Sequence, residues 1–358
     1  MLINNVLLKS FRNHSDLSIN FGPGINVIWG KNGTGKTSVL EAVHLLLMGK
    51  SFKTNKTQET IKNNCNNSTI KGGFSTNNRS FEISLNQSTN KPKLFMLDGV
   101  KTKPKLFIGK LPIVLLSPEE EKTTKGQPTE RRRFFDKLYS LISKDYLNNL
   151  IKYNSILKNR NNVLKKTNNY NEVLPWDIQL AKHGVSIWEK RNIFNSVFLE
   201  NLIKTSEKYN PNTTLSFTVD SKKIKTDEFV EKLKKGFNRD LKIKRTSFGP
   251  HKDIYSFFLN QKNLKVFGSQ GEHKTAFTLI KFAEYETLKK ETRKSPTILL
   301  DDLFARLDSD RSSRVLTMLE QSTQTIITNT DLTDIKNRGI NTGDFKNKDF
   351  YLEKIWKN

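Results

Sequence analysis

One octapeptide restricts the fold of this chain more than any other stretch: Gly30-Lys31-Asn32-Gly33-Thr34-Gly35-Lys36-Thr37 satisfies G-x-x-x-x-G-K-[ST] in full. A β-rich run, Ile25–Trp29, leads into it, and an amphipathic helical pattern follows with Val39, Leu40, Val43 and Leu47. Strand, glycine loop and helix in that order is the setting in which the motif binds phosphate. Gly30, Gly33 and Gly35 carry no side-chain bulk, so successive backbone N–H groups turn onto a phosphate while the helix N-terminus adds its positive end. Lys36 is expected to reach the β- and γ-phosphates of ATP, and the Thr37 hydroxyl to ligate Mg²⁺. The plainer alternative is a glycine turn before a core helix; both flanking elements argue against it.

A second segment completes such a site. Pro296-Thr297-Ile298-Leu299-Leu300-Asp301-Asp302 reads as a buried strand ending in paired acids. In a P-loop protein a carboxylate at the tip of a neighbouring strand lies opposite the loop threonine, which suits Asp301 to Mg²⁺ and Asp302 to polarising the attacking water. Strand-end aspartates are otherwise common helix caps, and Asp308-Ser309-Asp310 includes one. Ahead of that strand, Ser269-Gln270-Gly271 opens a helix whose apolar face includes Phe277, Ile280 and Leu288. Such a turn offers a hydroxyl and free N–H groups to an anion, although alone it would read as an ordinary cap.

The rest of the chain predicts an α/β protein: an ATPase head with an antiparallel β subdomain and an inserted helical lobe. Residues 1–117 would form the first part of the head, 118–244 the lobe, and 245–358 the second part. Met1–Phe21 reads as two strands, and Ser51–Ser68 as an irregular segment. Thr69–Ser84, Lys93–Leu97, Lys105–Ile108 and Ile113–Leu116 read as a small antiparallel sheet. Ser117-Pro118-Glu119-Glu120 has the form of a capping box with proline at the first helical position. Helical spacing then holds over Thr129–Lys166 and Trp176–Tyr209, a hairpin joined near Thr167–Pro175. Pro211–Lys244 is mixed, with a strand at Leu215–Val219 and a helix near Glu228–Phe237. Gln324–Thr328 and Asp349–Ile355 are further strands.

Charge bears on partners. Lys and Arg number 61 against 36 Asp and Glu, a net +25, which favours polyanions through counterion release. Arg131, Arg132, Arg133, Lys152, Lys158, Arg160, Lys165 and Lys166 all fall in the helical lobe, where a solvated basic face and a DNA-contacting face are equally open readings. The single cysteine, Cys65, excludes internal disulfides and C-x-x-C metal sites. No apolar run approaches the ~18 residues of a membrane span and no signal-peptide layout precedes the first strand, so a cytoplasmic protein without a membrane partner is expected.

With these motifs placed, the chain resembles the RecF family of bacterial recombination mediators, compact ABC-type ATPases related to SMC proteins. FRNH, GKNGTGKTSVLEAVHLL, SPEE then RRRFFD, YNSILKNRNNVL, FGPHKD, GSQGEHKT and ILLDDLFARLD come in the family's order nearly end to end. The P-loop and LLDD are shared by many ATPases, whereas SPEE with RRRFFD, the KNRN stretch and GPHKD are more particular. The resemblance implies that Gly30–Thr37 holds ATP, that Asp301 is the Mg²⁺-associated acid, and that Asp302 stands at the catalytic carboxylate. It implies that Ser269-Gln270-Gly271 is the signature contacting the γ-phosphate held by a second subunit, so that ATP drives homodimerisation, and that Asp308 belongs to the loop crossing that interface. It further implies a slow DNA-dependent ATPase that prefers single-stranded, gapped or junction DNA, works with RecO and RecR in recombinase loading, and serves repair, replication and the SOS response.

The chain departs from the family pattern in places. His251-Lys252-Asp253-Ile254 replaces a more acidic, arginine-bearing stretch. Gln270 and Glu272 surround the signature glycine. No histidine follows Thr328, where Asn329 is a candidate substitute for the switch residue, and no Q-loop glutamine is assignable. Two other readings compete. A transporter-type ABC ATPase would need a membrane partner and lack the long basic insert, and a DNA-binding module using ATP without significant hydrolysis would not need Lys36, Asp301 and Asp302 together.

Overall fold

The computed structural model describes residues 2–76, 79–107, 111–302, 309–319 and 324–352. They fall into two compact units, one within 1–121 and 280–358 and the other 122–279. The first unit opens with β1 (Leu2–Phe11), β2 (His14–Asn20), β3 (Ile25–Trp29) and α1 (Lys36–Met48), followed by β4 (Asn67–Thr76), β5 (Arg79–Ser88), β6 (Leu94–Leu97), β7 (Val100–Thr102) and β8 (Ile113–Leu116). The second unit comprises α2 (Lys122–Lys125), α3 (Pro128–Ile142), α4 (Lys144–Val163), α5 (Tyr170–Tyr209), β9 (Leu215–Val219), α6 (Thr226–Lys235), α7 (Phe237–Ile243), β10 (Tyr255–Leu259), β11 (Lys262–Asn263) and α8 (Leu264–Phe267). The boundary back to the first unit falls inside α9 (Gln270–Thr292), and β12 (Thr297–Asp301), α10 (Ser309–Leu319), β13 (Gln324–Asn329), α11 (Leu332–Asn337) and β14 (Lys348–Tyr351) follow.

In the first unit a parallel sheet runs β14-β3-β13-β12-β8 and an antiparallel one β2-β1-β4-β5-β6-β7. β8, β12 and β13 are buried along their whole length, as apolar runs covered on both faces must be. α1 packs against strands of both sheets. Its sequence predicts one apolar face, yet every residue except Thr37 is buried, Glu41 and His44 included, because it is covered on both sides. Gln324 ties the sheets together: its amide accepts from the Ile3 N–H at 2.8 Å and donates to the Ile3 and Gly22 carbonyls at 2.9 and 2.8 Å.

Three local expectations change. Ile113–Leu116 leaves the predicted antiparallel sheet and pairs in parallel with β12, from Thr297↔Ile113 to Leu300↔Leu116. Lys105 and Leu106 lie in a single 3-10 turn begun by Pro104, whose fixed φ and missing N–H disfavour a strand there; Ile108 lies outside the described residues, as do Asp308 and Ile355. The capping box at Ser117 does not form: the Glu120 N–H goes to the Ser117 carbonyl in a 3-10 turn, leaving the buried Ser117 hydroxyl without a partner.

In the second unit the first predicted helix is two. Ser143 takes an extended conformation and its hydroxyl accepts the Tyr146 N–H, ending α3 and starting α4. α5 begins earlier than predicted, at Tyr170, with Asn169 as its cap and Pro175 inside. The unit also reaches beyond Lys244, because β10 pairs antiparallel with β9 from Tyr255↔Val219 to Leu259↔Leu215 and holds residues 245–279 against the helical lobe. Phe135 is the centre of its core, stacked 4.0 Å from Tyr255 and edge-on to Phe198 at 5.3 Å.

The basic residues of the lobe are not one face. Arg131 is buried and donates to the Tyr255 and Gly126 carbonyls at 2.6 and 3.0 Å; Arg132 donates to the Asp253 carbonyl at 2.9 Å. Of the three consecutive arginines only Arg133 is exposed, paired with Glu130. Arg160 is wholly buried between Asp177 and Asp240, and Arg191 between Asp136 and Asp253. Removing one partner of such a pair strands a buried charge, so these arginines hold the lobe together.

Candidate nucleotide site

The P-loop stands between β3 and α1, at the end of the parallel sheet where strand tips open onto solvent. Gly30, Gly33 and Gly35 all have positive φ, 144°, 84° and 96°. Gly35 is doubly required, because a Cβ there would meet His14 Nε2 at 2.5 Å. Lys36 Nζ donates to the carbonyls of Gly30 at 2.6 Å and Lys31 at 2.9 Å, curling back over the loop that it is expected to serve. Thr34 closes the turn through the Lys31 carbonyl at 3.0 Å.

The Thr37 hydroxyl donates to Asp301 Oδ1 at 2.8 Å, and the Thr328 hydroxyl donates to the same oxygen at 2.8 Å. Asp301 is buried, and its pKa is raised chiefly by that desolvation; the hydrogen bonds from Thr37 and Thr328 and the charge of Lys53 oppose the rise, and Glu119 adds to it. A cation beside Asp301 would remove the cost of holding this carboxylate charged. Two adjacent ligands of an octahedral Mg²⁺ at ~2.1 Å stand about 3 Å apart, which fits the Thr37–Asp301 oxygen pair. Among the described residues no group of three His, Cys, Asp or Glu side chains forms a metal cage. One carboxylate and one hydroxyl suit a metal that takes its remaining ligands from phosphate and water.

Asp302 occupies a left-handed conformation, φ 51°, with its N–H on the Thr328 hydroxyl at 3.1 Å. Its Oδ1 is buried without a hydrogen-bond partner. An unpaired acceptor held by a strained backbone at the edge of a phosphate cleft is placed to take a proton from water. The cleft itself, about 320 Å³, is lined by Asn32, Gly33, Lys36, Thr37, Asp302 and Thr328, together with Arg12, Asn13 and Lys53.

Those last three escape the reading of the sequence. Arg12 and Asn13 belong to the FRNH turn, where a turn is all that polar residues between two strands predict. In the structure Arg12 donates to both Glu41 oxygens at 2.8 and 2.6 Å, Asn13 to the Gly33 carbonyl at 2.9 Å, and His14 Nε2 lies 3.1 Å from the Gly35 carbonyl. The turn therefore braces the glycine loop from outside. Lys53 sits in a polar run that carries no periodic signal.

Two expected groups behave differently. Ser269 and Glu272 form a reciprocal capping box, Glu272 Oε2 taking the Ser269 N–H at 2.7 Å and Ser269 Oγ taking the Glu272 N–H at 3.2 Å. The Ser269 N–H is thus engaged, while the hydroxyl proton stays available; Gln270 and Gly271 form the first turn of α9. Asn329 is buried and donates to the Asp331 carbonyl and Asp334 Oδ2 at 2.8 and 3.2 Å, which commits its amide to α11.

This sheet order, with a P-loop facing a strand-tip acid beside an antiparallel subdomain, defines a P-loop ATPase head of the ABC/SMC class. Residues 2–343 match the family described as RecF/RecN/SMC N terminal domain. The DNA replication and repair protein RecF of Lachnoclostridium phytofermentans is 36% identical over 348 residues, covering 96% of each chain. The chain belongs to the RecF family. A solved structure titled as the recombination mediator protein RecF with ATP in the RecFOR pathway superposes with a TM-score of 0.86 at 29% identity, covering 93% of this chain and 92% of that one. An Smc head bound to the C-winged helix domain of ScpA shares the fold at a TM-score of 0.57 and 15% identity, covering 94% and 91%. No helix among the described residues is long and apolar enough to cross a membrane.

Proposed function

We propose that this chain is an ATP-dependent DNA-binding recombination mediator whose nucleotide site is the cleft at Gly30–Thr37. The observation that carries the reading is the 2.8 Å pairing of the loop threonine with a buried strand-tip aspartate, beside the unpaired carboxylate oxygen of Asp302. The loop N–H groups of Gly30–Thr37 and the Lys36 ammonium bind the phosphates, Thr37 and Asp301 hold Mg²⁺, and Asp302 accepts the proton of the attacking water. Mg²⁺ when bound neutralises developing phosphate charge. The family resemblance supports single-stranded, gapped or junction DNA as the partner, cooperation with RecO and RecR in recombinase loading, and roles in replication, repair and the SOS response.

Dimerisation belongs to the same reading. A P-loop leaves the far side of the γ-phosphate uncovered, and Ser269, with Gly271 in the first turn of α9, offers an exposed hydroxyl donor to a second copy's nucleotide. Two protomers on a two-fold axis satisfy each other reciprocally, so ATP joins them and ADP releases them. ATP hydrolysis measured alone, with single-stranded DNA and with duplex DNA, tests the reading. DNA-stimulated turnover that Asp302→Asn removes is expected; absence of nucleotide binding in the folded protein overturns it.

A further inference from the structure

We infer that the stretch from Lys232 to Arg245, the end of α6 and all of α7, with the turn end of the α4–α5 hairpin, forms the surface that tracks the phosphates of duplex DNA; this rests on the DNA-binding reading above. The exposed acids of α6, Asp227, Glu228 and Glu231, precede this stretch. All seven Lys and Arg residues between Lys232 and Arg245 are exposed. The one acid among them, Asp240, is turned inward, accepting from Arg160 at 2.7 Å and from the Ser247 N–H at 2.9 Å. None of the seven pairs with a carboxylate of a described residue. The last turn of a helix favours cations by its own dipole, which accounts for Lys232, Lys234 and Lys235 at the end of α6. It does not account for Arg239 at the middle of α7, or for Lys244 and Arg245 beyond its end.

The segment is fixed, not a loose tail. Asn161 near the end of α4 accepts both the N–H and the hydroxyl of Thr246 at 2.8 Å, and Arg160 Nη1 meets the same hydroxyl at 2.9 Å. Tyr170, the first residue of α5, packs against Phe237 with ring centroids 5.1 Å apart, and Lys234 Nζ stands 5.9 Å from the Tyr170 ring. The exposed Lys165 and Lys166 of the hairpin turn therefore extend the same cationic surface. A rigid array of this kind neutralises phosphates at several points and releases their counterions.

The form of nucleic acid follows from what the surface lacks. Single strands are held by stacking bases on exposed aromatic rings. Phe229 is fully buried, and Tyr170 and Phe237 are turned onto each other, so among the described residues of this surface none offers an exposed ring. Phosphate contacts without stacking suit the duplex arm of a gapped substrate, not its single strand.

The test is the salt dependence of binding to a labelled blunt duplex and to a labelled single strand, by anisotropy, for the full chain with ATP. Replacing Lys234, Lys235, Arg239 and Lys242 together by Glu is expected to weaken duplex binding at least ~10-fold at low salt and to flatten the log–log salt slope by about 2 to 4. Single-strand binding changes less, and Arg133→Glu leaves both unchanged. Replacement of the same four by Gln removes the contacts without adding acids; it gives the same slope change if the Glu set does not fold. Unaltered duplex affinity and slope, in a variant whose wild type binds with salt dependence, overturn this surface and leave the DNA reading standing. A wild type that binds no DNA while binding an acidic polypeptide overturns both.

Discussion

His251, in the FGPHKD stretch, gives the most quantitative test of how the second unit is held. Its Nε2 lies 3.0 Å from the Thr246 carbonyl and its Nδ1 2.6 Å from the Tyr153 hydroxyl, so a neutral ring that donates at Nε2 and accepts at Nδ1 satisfies both neighbours. Protonation would aim a second N–H at the tyrosine in a space with little water. Burial, the largest influence, presses its pKa from 6.5 down to about 4, against the raising effect of the Thr246 carbonyl. The unfolded chain takes up this proton near 6.5 and the folded chain only near 4, so the unfolded state binds more protons between those values. Stability is therefore full above 6.5 and declines as pH falls towards 4. Each pH unit inside that window costs about 1.4 kcal/mol, so the whole window costs about 3 kcal/mol and a fall from about pH 7.5 to about pH 5 costs about 2 kcal/mol. Glutamine keeps an acceptor and a donor but does not titrate. Urea unfolding of wild type and His251→Gln at the two pH values isolates the effect, because His14 and His183, lowered in the same direction, and Asp177 and Asp253, raised, are common to both proteins. The wild type should lose about 2 kcal/mol more than the variant on acidification. Equal losses, within about 0.5 kcal/mol, would refute the assignment of a buried neutral imidazole.

Three further outcomes are expected. Lys36→Met should weaken ATP binding at least ~10-fold in a protein that unfolds as the wild type does, because the charge-assisted contacts to phosphate are lost; calorimetric titration showing normal affinity would remove Lys36 from the site. Asp302→Asn should leave ATP affinity within about threefold and lower turnover at least ~100-fold, since the amide fills the same space without accepting a proton; wild-type turnover places the base elsewhere. Arg12→Ala strands the fully buried Glu41, so a destabilisation of about 3 kcal/mol is expected in denaturant unfolding. Adding Glu41→Gln to Arg12→Ala should recover part of that loss, and a double variant no better than the single one contradicts a stranded charge.

What the sequence makes legible follows a simple physical division. The glycine loop, the strand β12 and the acids at its tip are local patterns whose residue types admit few alternatives, and they lie where expected. Ile113–Leu116 is equally apolar, but four such residues do not say which strand they pair with, and only register with Thr297–Leu300 decides it. Arg131 and Arg132 read as a basic face because charge carries no sign of burial; the carbonyls of Tyr255 and Asp253 that hold them lie more than a hundred residues away. The exposed cations between Lys232 and Arg245, in contrast, do not read as a surface from the sequence, since only Arg160 and Asp240 together reveal that the one acid between them points inward. Arg12 and Asn13 join the nucleotide cleft through turn geometry that an FRNH tetrapeptide does not spell out.

The position of β3 in its sheet has a consequence for how the protein is made. The strand that carries the glycine loop lies between β13 and β14, with Thr325 opposite Ile25 and Lys348 opposite Asn26. Both of its neighbours are thus translated roughly 300 residues after it. At 5–20 residues per second the ribosome takes roughly 15–60 s to supply them. Throughout that interval Ile25–Trp29 is an apolar strand with two open edges, a natural client for chaperones and a hazard for pairing with another nascent chain. The first site residues to be synthesised are among the last to be placed, and ATP arriving during translation would meet a loop with no wall behind it.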